Sequence, residues 1–286
     1  MHYTEQDRLT EALLRNAAAM KEKQTVVAKP DQFRGLLRDT LNAMHKAQVS
    51  ANARDVLLDA ILGEATDIKP DRLILSDPNF FRTAGTAVQE GYFYPAAAKR
   101  MAYMQQLFPE EQIEIYMAIR DPGAILPIFH SVAMHPNEKM FWGDSSPRDL
   151  RWSELISEIR GAVPDIPITV WCNEDMPLIW GQVLREIAGY DENEKIAGGF
   201  DLLMHIMSTE GMQRFRAYLT NHPEMTEAQR RRVIAAFLDK FALEDEIEEE
   251  FEMPGWTEEL MDELSTLYDA DMKAIQAIPG VRLITP

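Results

Sequence analysis

The sequence has one cysteine, Cys172, in 286 residues. A lone thiol excludes an intrachain disulfide and suits a reducing compartment. No run approaches the ~18 apolar residues that cross a bilayer. The opening MHYTEQDRL is charged and carries no apolar core of a secretory signal. These absences read as a cytoplasmic chain without a membrane segment. Positive charge is also short: 29 Lys and Arg stand against 47 Asp and Glu, a net charge of −18. Phosphate backbones require clustered Lys and Arg, so a general nucleic-acid or anionic-membrane surface is disfavoured. A local basic pocket for one small-molecule anion or nucleotide remains compatible with this balance, whose simplest consequence is solubility. Only 14 glycines occur, none in a phosphate-cradling cluster. Walker, G-x-G-x-x-G, G-x-S-x-G and H-E-x-x-H patterns are all missing.

The chain does have enough apolar content to fold. Hydrophobic residues make up 46% and charged residues 27%, which is ordinary for a globular protein with a sizeable core. Three apolar runs, RLILS at 72–76, 112–119 and IPITVWC at 166–172, read as strands. Helical spacing lies between them, so the rhythm is that of a parallel α/β sheet whose strands have both faces covered. Each run ends in a polar cluster: Ser76-Asp77-Pro78-Asn79, Arg120-Asp121-Pro122 and Asn173-Glu174-Asp175. Right-handed crossovers would bring these three ends to one edge, the edge where such folds bind ligands. Thr4 followed by Asp7 has the form of a capping box, which starts a helix carrying Leu9, Ala12, Leu13 and Ala17 on one face. Further helices are expected near 31–46, 50–62, 94–108, 123–134 and 150–162. After Gly189 the chain reads as helical, near 209–220, 225–242 and 257–276, with a last short strand at Val281–Ile284. The expected division is an α/β domain over 1–190 and a helical extension over 191–286 packed on it. The acidic run EDEIEEEFE at 244–252 reads as a solvated face.

Arg120 is the one cation at the three strand tips. Its fork of donors suits a phosphate or sulfate beside the N-terminus of the following helix. The alternative is an ion pair with Asp77, Asp121 or Glu174 that only holds loops together. Asp121 reads as an N-cap and Pro122 as the first helical residue. Ser131 is either a ligand contact or a hydroxyl bonded back to its own helix. His130 and His135 lack the spacing and partners of a metal site, and no metal is expected. Cys172 reads as a core residue and Trp171 and Trp180 as core or pocket wall. Asp77, Glu174 and Asp175 leave one more possibility, a Mg²⁺-dependent hydrolase.

The segments HYTEQDRLTEALLRN, LILSDPNF, IEIYMAIRDP and ITVWCNED, in this order, resemble a bacterial branch of the sulfotransferase-like P-loop family. The resemblance covers about the first 180 residues. It implies a three-layer P-loop-type parallel sheet flanked by helices. It also implies transfer of a sulfuryl group from 3′-phosphoadenylyl sulfate to a hydroxyl acceptor. By that likeness His2 would be catalytic, Thr4 would bind the donor's phosphosulfate, and Arg120 and Ser131 would bind its 3′-phosphate. The acceptor's base would come from the cluster at 76–79 or at 173–175. The chain departs from the family pattern at four points. Tyr3 stands where the loop's lysine is expected. Glu5-Gln6-Asp7 replaces Gly-Thr-Thr. The family's serine position is occupied by Ile128, about 4.5 Å along the axis before Ser131. The strand that should feed the first helix is missing, so either the true start lies upstream or the chain lacks a central strand. A relative that kept the fold as a binding or assembly protein is therefore the alternative to an enzyme.

Overall fold

The computed structural model describes residues 1–47, 50, 52–63, 69–133, 141–192, 194–246, 253 and 255–286. His135, residues 247–252 of the acidic run and the end of the helix expected to reach 134 lie outside the described residues. The fold is α/β, with twelve α-helices among the described residues around small sheets.

Two short helices, α1 (Gln6–Arg15) and α2 (Ala17–Glu22), open the chain. Leu9, Ala12 and Leu13 are buried along α1 as helical spacing requires. The expected capping box is not formed. Thr4 Oγ1 donates to Met1 O at 2.8 Å, and Glu5 occupies the N-cap position without a side-chain cap. The hydroxyl is used in the turn that precedes the helix.

Strand β1 (Thr25–Val27) follows, then α3 (Pro30–Met44) and α4 (Ala53–Leu62). Proline at the start of α3 has no N–H to leave unpaired. Strand β2 (Arg72–Ile74) pairs in parallel with β1, Val26 opposite Leu73. A tight hairpin joins β3 (Val88–Gln89) to β4 (Tyr92–Phe93). Its two turn residues, Glu90 and Gly91, both have positive φ, 52° and 78°, the backbone of a type I′ turn. A Cβ at Gly91 would lie 2.5 Å from the Ser145 side chain.

Helix α5 (Ala97–Leu107) leads to β5 (Ile115–Ile119), α6 (Pro122–Ser131), α7 (Trp152–Ala162), β6 (Ile168–Cys172) and α8 (Met176–Ala188). Then come α9 (Asp201–Ile206), α10 (Thr209–Asn221), α11 (Glu227–Phe241), α12 (Glu258–Gln276) and β7 (Val281–Ile284). Strands β5, β6 and β7 form a parallel sheet in that order. The C-terminal stretch thus adds a strand beside β6 and lays α12 against α6 and α7.

Burial alternates along the strands. Ile115, Met117 and Ile119 enter a core with α3, α5, α6 and α7. Ala118 and Trp171 enter a second core with α1, α8 and α9. This is the period of two that a strand covered on both faces must show. One expectation is corrected here. The three runs do not lie in one parallel sheet: β2 pairs with β1 while β5 and β6 belong to another sheet, and among the described residues no ladder joins the two.

Candidate functional site

The carboxyl ends of β2, β5 and β6 meet beside the first residues of the chain. The Met1–Thr4 segment is tied to two of them. Arg120 Nη1 donates to Tyr3 O at 3.0 Å, and the His2 ring contacts Asn79 Oδ1 through Nε2 at 3.1 Å. Asn79 belongs to the turn after β2, where its N–H donates to Asp77 Oδ1 at 2.9 Å. Residues more than a hundred positions apart in sequence are thus neighbours.

His2 is 7% exposed. The amide oxygen of Asn79 accepts only, so Nε2 carries the ring proton and Nδ1 accepts from the Tyr94 hydroxyl at 2.8 Å. Tyr94 is buried and its hydroxyl is pushed above its usual pKa by burial, so it stays a donor. The two rings stack at 5.8 Å with 5° between planes. Burial lowers the His2 pKa, with the Asn79 bond acting the other way. The imidazole is therefore neutral, with both nitrogens engaged.

The turn into α1 has an unusual backbone. Tyr3 and Glu5 have φ of 55° and 59°, the left-handed region that glycine adopts without strain. Glu5, a residue with a Cβ, thus adopts a backbone that favours glycine. Glu5, the N-cap residue of α1, makes no side-chain cap bond, and a helix start of this kind attracts an anion. Arg34 lies nearby, donating to Ser76 O at 2.8 Å with Asp7 at 3.8 Å. Glu5 is held by Arg8 at 2.8 Å.

The other sequence candidates divide clearly. Asp121 is the N-cap of α6, accepting from Gly123 N at 2.7 Å, as its place before Pro122 implied. Thr4 is buried in the turn. Ser131 is exposed on the last turn of α6 and donates to Ile128 O at 2.8 Å. It sits about 14 Å along the helix from Pro122, bonded back to its own helix and away from the strand tips. The Cys172 thiol is half-buried and pushed up to about 12 by burial, so it remains protonated. Among the described residues no group of three or more His, Cys, Asp and Glu could hold a metal ion. Asp77, Glu174 and Asp175 therefore do not form the ligand set that a metal-dependent hydrolase would need.

Two participants have no sequence signal of their own. Tyr94 reaches His2 across 92 positions. Trp152 donates from Nε1 to Arg120 O at 2.8 Å, which anchors the backbone that carries the arginine.

Glu174 ties the β5 and β6 tips together. Its Oε1 accepts from Asp121 N at 2.9 Å and its Oε2 from the Tyr268 hydroxyl at 3.3 Å. Burial raises its pKa from 4.5, against the pull of the Asp121 N–H; Asp77 and Asp175 are raised by burial as well. A carboxyl raised in the folded state holds its proton there more tightly than in the unfolded chain. Stability then falls as pH climbs from about 4.5 through the raised value. Glu174→Gln is expected to flatten that decline in denaturation measured across mildly acidic pH, and an unaltered slope would contradict the assignment.

No family model, curated protein or solved structure matches the chain.

Proposed function

We propose that the chain is a sulfotransferase-like protein with a three-layer P-loop-type architecture, and that its crevice holds 3′-phosphoadenylyl sulfate or the derived adenosine 3′,5′-bisphosphate. The observation that carries this reading is the N-terminus of α1 beside Arg120, where Glu5 makes no side-chain cap and both Tyr3 and Glu5 have left-handed backbone. A sulfuryl or phosphoryl group there would meet backbone donors and a positive dipole end. The reaction served by such a donor is sulfuryl transfer to a hydroxyl, with preorganised donors stabilising the transferring group. Arg120 and Thr4 lie at this loop; Ser131 would reach a bound nucleotide only by leaving its bond to Ile128. The acceptor's proton would pass to a carboxylate of the Asp77 or Glu174 cluster.

A specific observation favours a second reading, a binding protein without transfer. Both His2 nitrogens are engaged inside the protein, and acids occupy positions 5 and 7 of the loop. A neutral, spent imidazole stabilises little developing charge.

Adenosine 3′,5′-bisphosphate at a hundredfold excess over its Kd is expected to raise Tm by about 5 °C. Arg120→Ala is expected to abolish that rise. No stabilisation of the parent chain would remove the nucleotide reading altogether. Stabilisation without turnover of a labelled sulfuryl donor, across a panel of hydroxyl acceptors, would select the binding reading.

A further inference from the structure

Among the described residues no ladder pairs β2 with β5. Between them lies a slot of about 970 Å³. Every residue from 71 to 77 borders it, and so does every residue from 110 to 118. Side chains of a strand alternate between faces, so an unbroken run of bordering residues means that each strand presents its edge. Leu9 and Leu13 of α1 close one face, and Phe33 and Leu37 of α3 close the other. The slot therefore has two backbone edges and two apolar faces. That is the environment of a central strand in a parallel sheet. Left open, it leaves two rows of amide and carbonyl groups facing a largely apolar space.

We propose that this slot takes one extended strand of the same polypeptide, laid parallel between β2 and β5 and running directly into Met1. The direction follows from the geometry at the carboxyl ends. Met1–Thr4 sits between the turn after β2 and the tip of β5, held by Asn79 on one side and Arg120 on the other. Met1 itself borders the slot. Met1 is partly buried and burial lowers the pKa of its α-amino group to about 6, so a charged terminus is disfavoured where an uncharged peptide nitrogen would fit. At the amino ends the two edges are bridged by Arg72 and Glu114, 2.7 Å apart, which bounds the strand's length. A segment of about five or six residues matches β5. It would be apolar throughout, because helices cover both faces. The strand would also make α1 the helix of a strand–turn–helix unit, with its anion-binding loop held at both ends.

The test compares the chain beginning at Met1 with one extended by the residues encoded in frame immediately upstream. The extension is expected to raise Tm by about 10 °C or more. It should slow amide exchange at 72–74 and 115–118 by at least about tenfold, and lower bis-ANS fluorescence severalfold. Two prolines placed at alternate positions of the extension should erase these gains, because proline gives the ladder no N–H. An in-frame stop directly before the Met1 codon would overturn the proposal. So would an extension that leaves Tm and exchange unchanged, or gains that survive the prolines. These readouts need no nucleotide, so their failure is separate from failure of the bisphosphate shift.

Discussion

Trp152→Ala is expected to destabilise the protein by about 4 kcal/mol and to weaken the proposed nucleotide binding with it. Trp152 is 1% exposed. Its ring stacks on Phe93 at 3.8 Å with 3° between planes, so truncation opens a large cavity in the core that supports β5 and α6. Its Nε1 also holds Arg120 O at 2.8 Å. Trp152→Phe separates the two effects. It keeps much of the packing, loses the indole donor, and leaves a carbonyl one bond short, at about 1 kcal/mol. Urea denaturation gives the stability change, and the bisphosphate shift gives the effect on Arg120. A loss below about 1 kcal/mol for Trp152→Ala would mean that the stack does not carry the core.

Asp271→Ala should cost about 3 kcal/mol, mostly from buried N–H groups left without an acceptor. Arg151, the N-cap of α7, supplies no side-chain cap. The cap comes from α12 instead. Asp271 Oδ2 accepts from Trp152 N at 2.7 Å and Ser153 N at 3.3 Å. Asp271 is 4% exposed, so water cannot replace it, and the carboxylate also faces the positive end of α7. Asp271→Asn keeps one acceptor oxygen and loses the charge, and it is expected to retain about half of the stabilisation. Equal losses in both variants would show that the charge, and not the acceptor, is what α7 needs. No loss in either would disprove the remote cap.

Much of the local structure was legible before any coordinates. The run at 112–119 reads as a strand because its residues are apolar on both faces, and Asp121-Pro122 reads as a helix start because the aspartate can cap and proline needs no donor. Both hold. The C-terminal helices expected near 209–220, 225–242 and 257–276 form over Thr209–Asn221, Glu227–Phe241 and Glu258–Gln276. Three other features were not legible. Thr25–Val27 is too short to display a period. The hairpin at 88–93 turns on Glu90-Gly91, a weaker signal than Asn-Gly. The box at Thr4 and Asp7 satisfied the pattern and failed in space, because α1 begins one residue later, with Glu5 at the N-cap position.

The sequence by itself determined where most helices and the longer strands lie, that Asp121 caps α6, and that Arg120 ends a strand beside a helix start. These depend on neighbours within a turn or two of chain, and periodicity and capping chemistry record them. Only the tertiary structure decided that β2 pairs with β1 rather than β5 and that a strand-wide slot separates the two sheets. It also decided that His2 is spent on Tyr94 and Asn79, and that Ser131 points back to its own helix. Edge pairing and buried hydrogen bonds are chosen by which surfaces meet. That choice is made between residues far apart in the chain, 119 positions for Asp271 and Trp152 and 181 for Asn16 and Ala197, and no local pattern carries it.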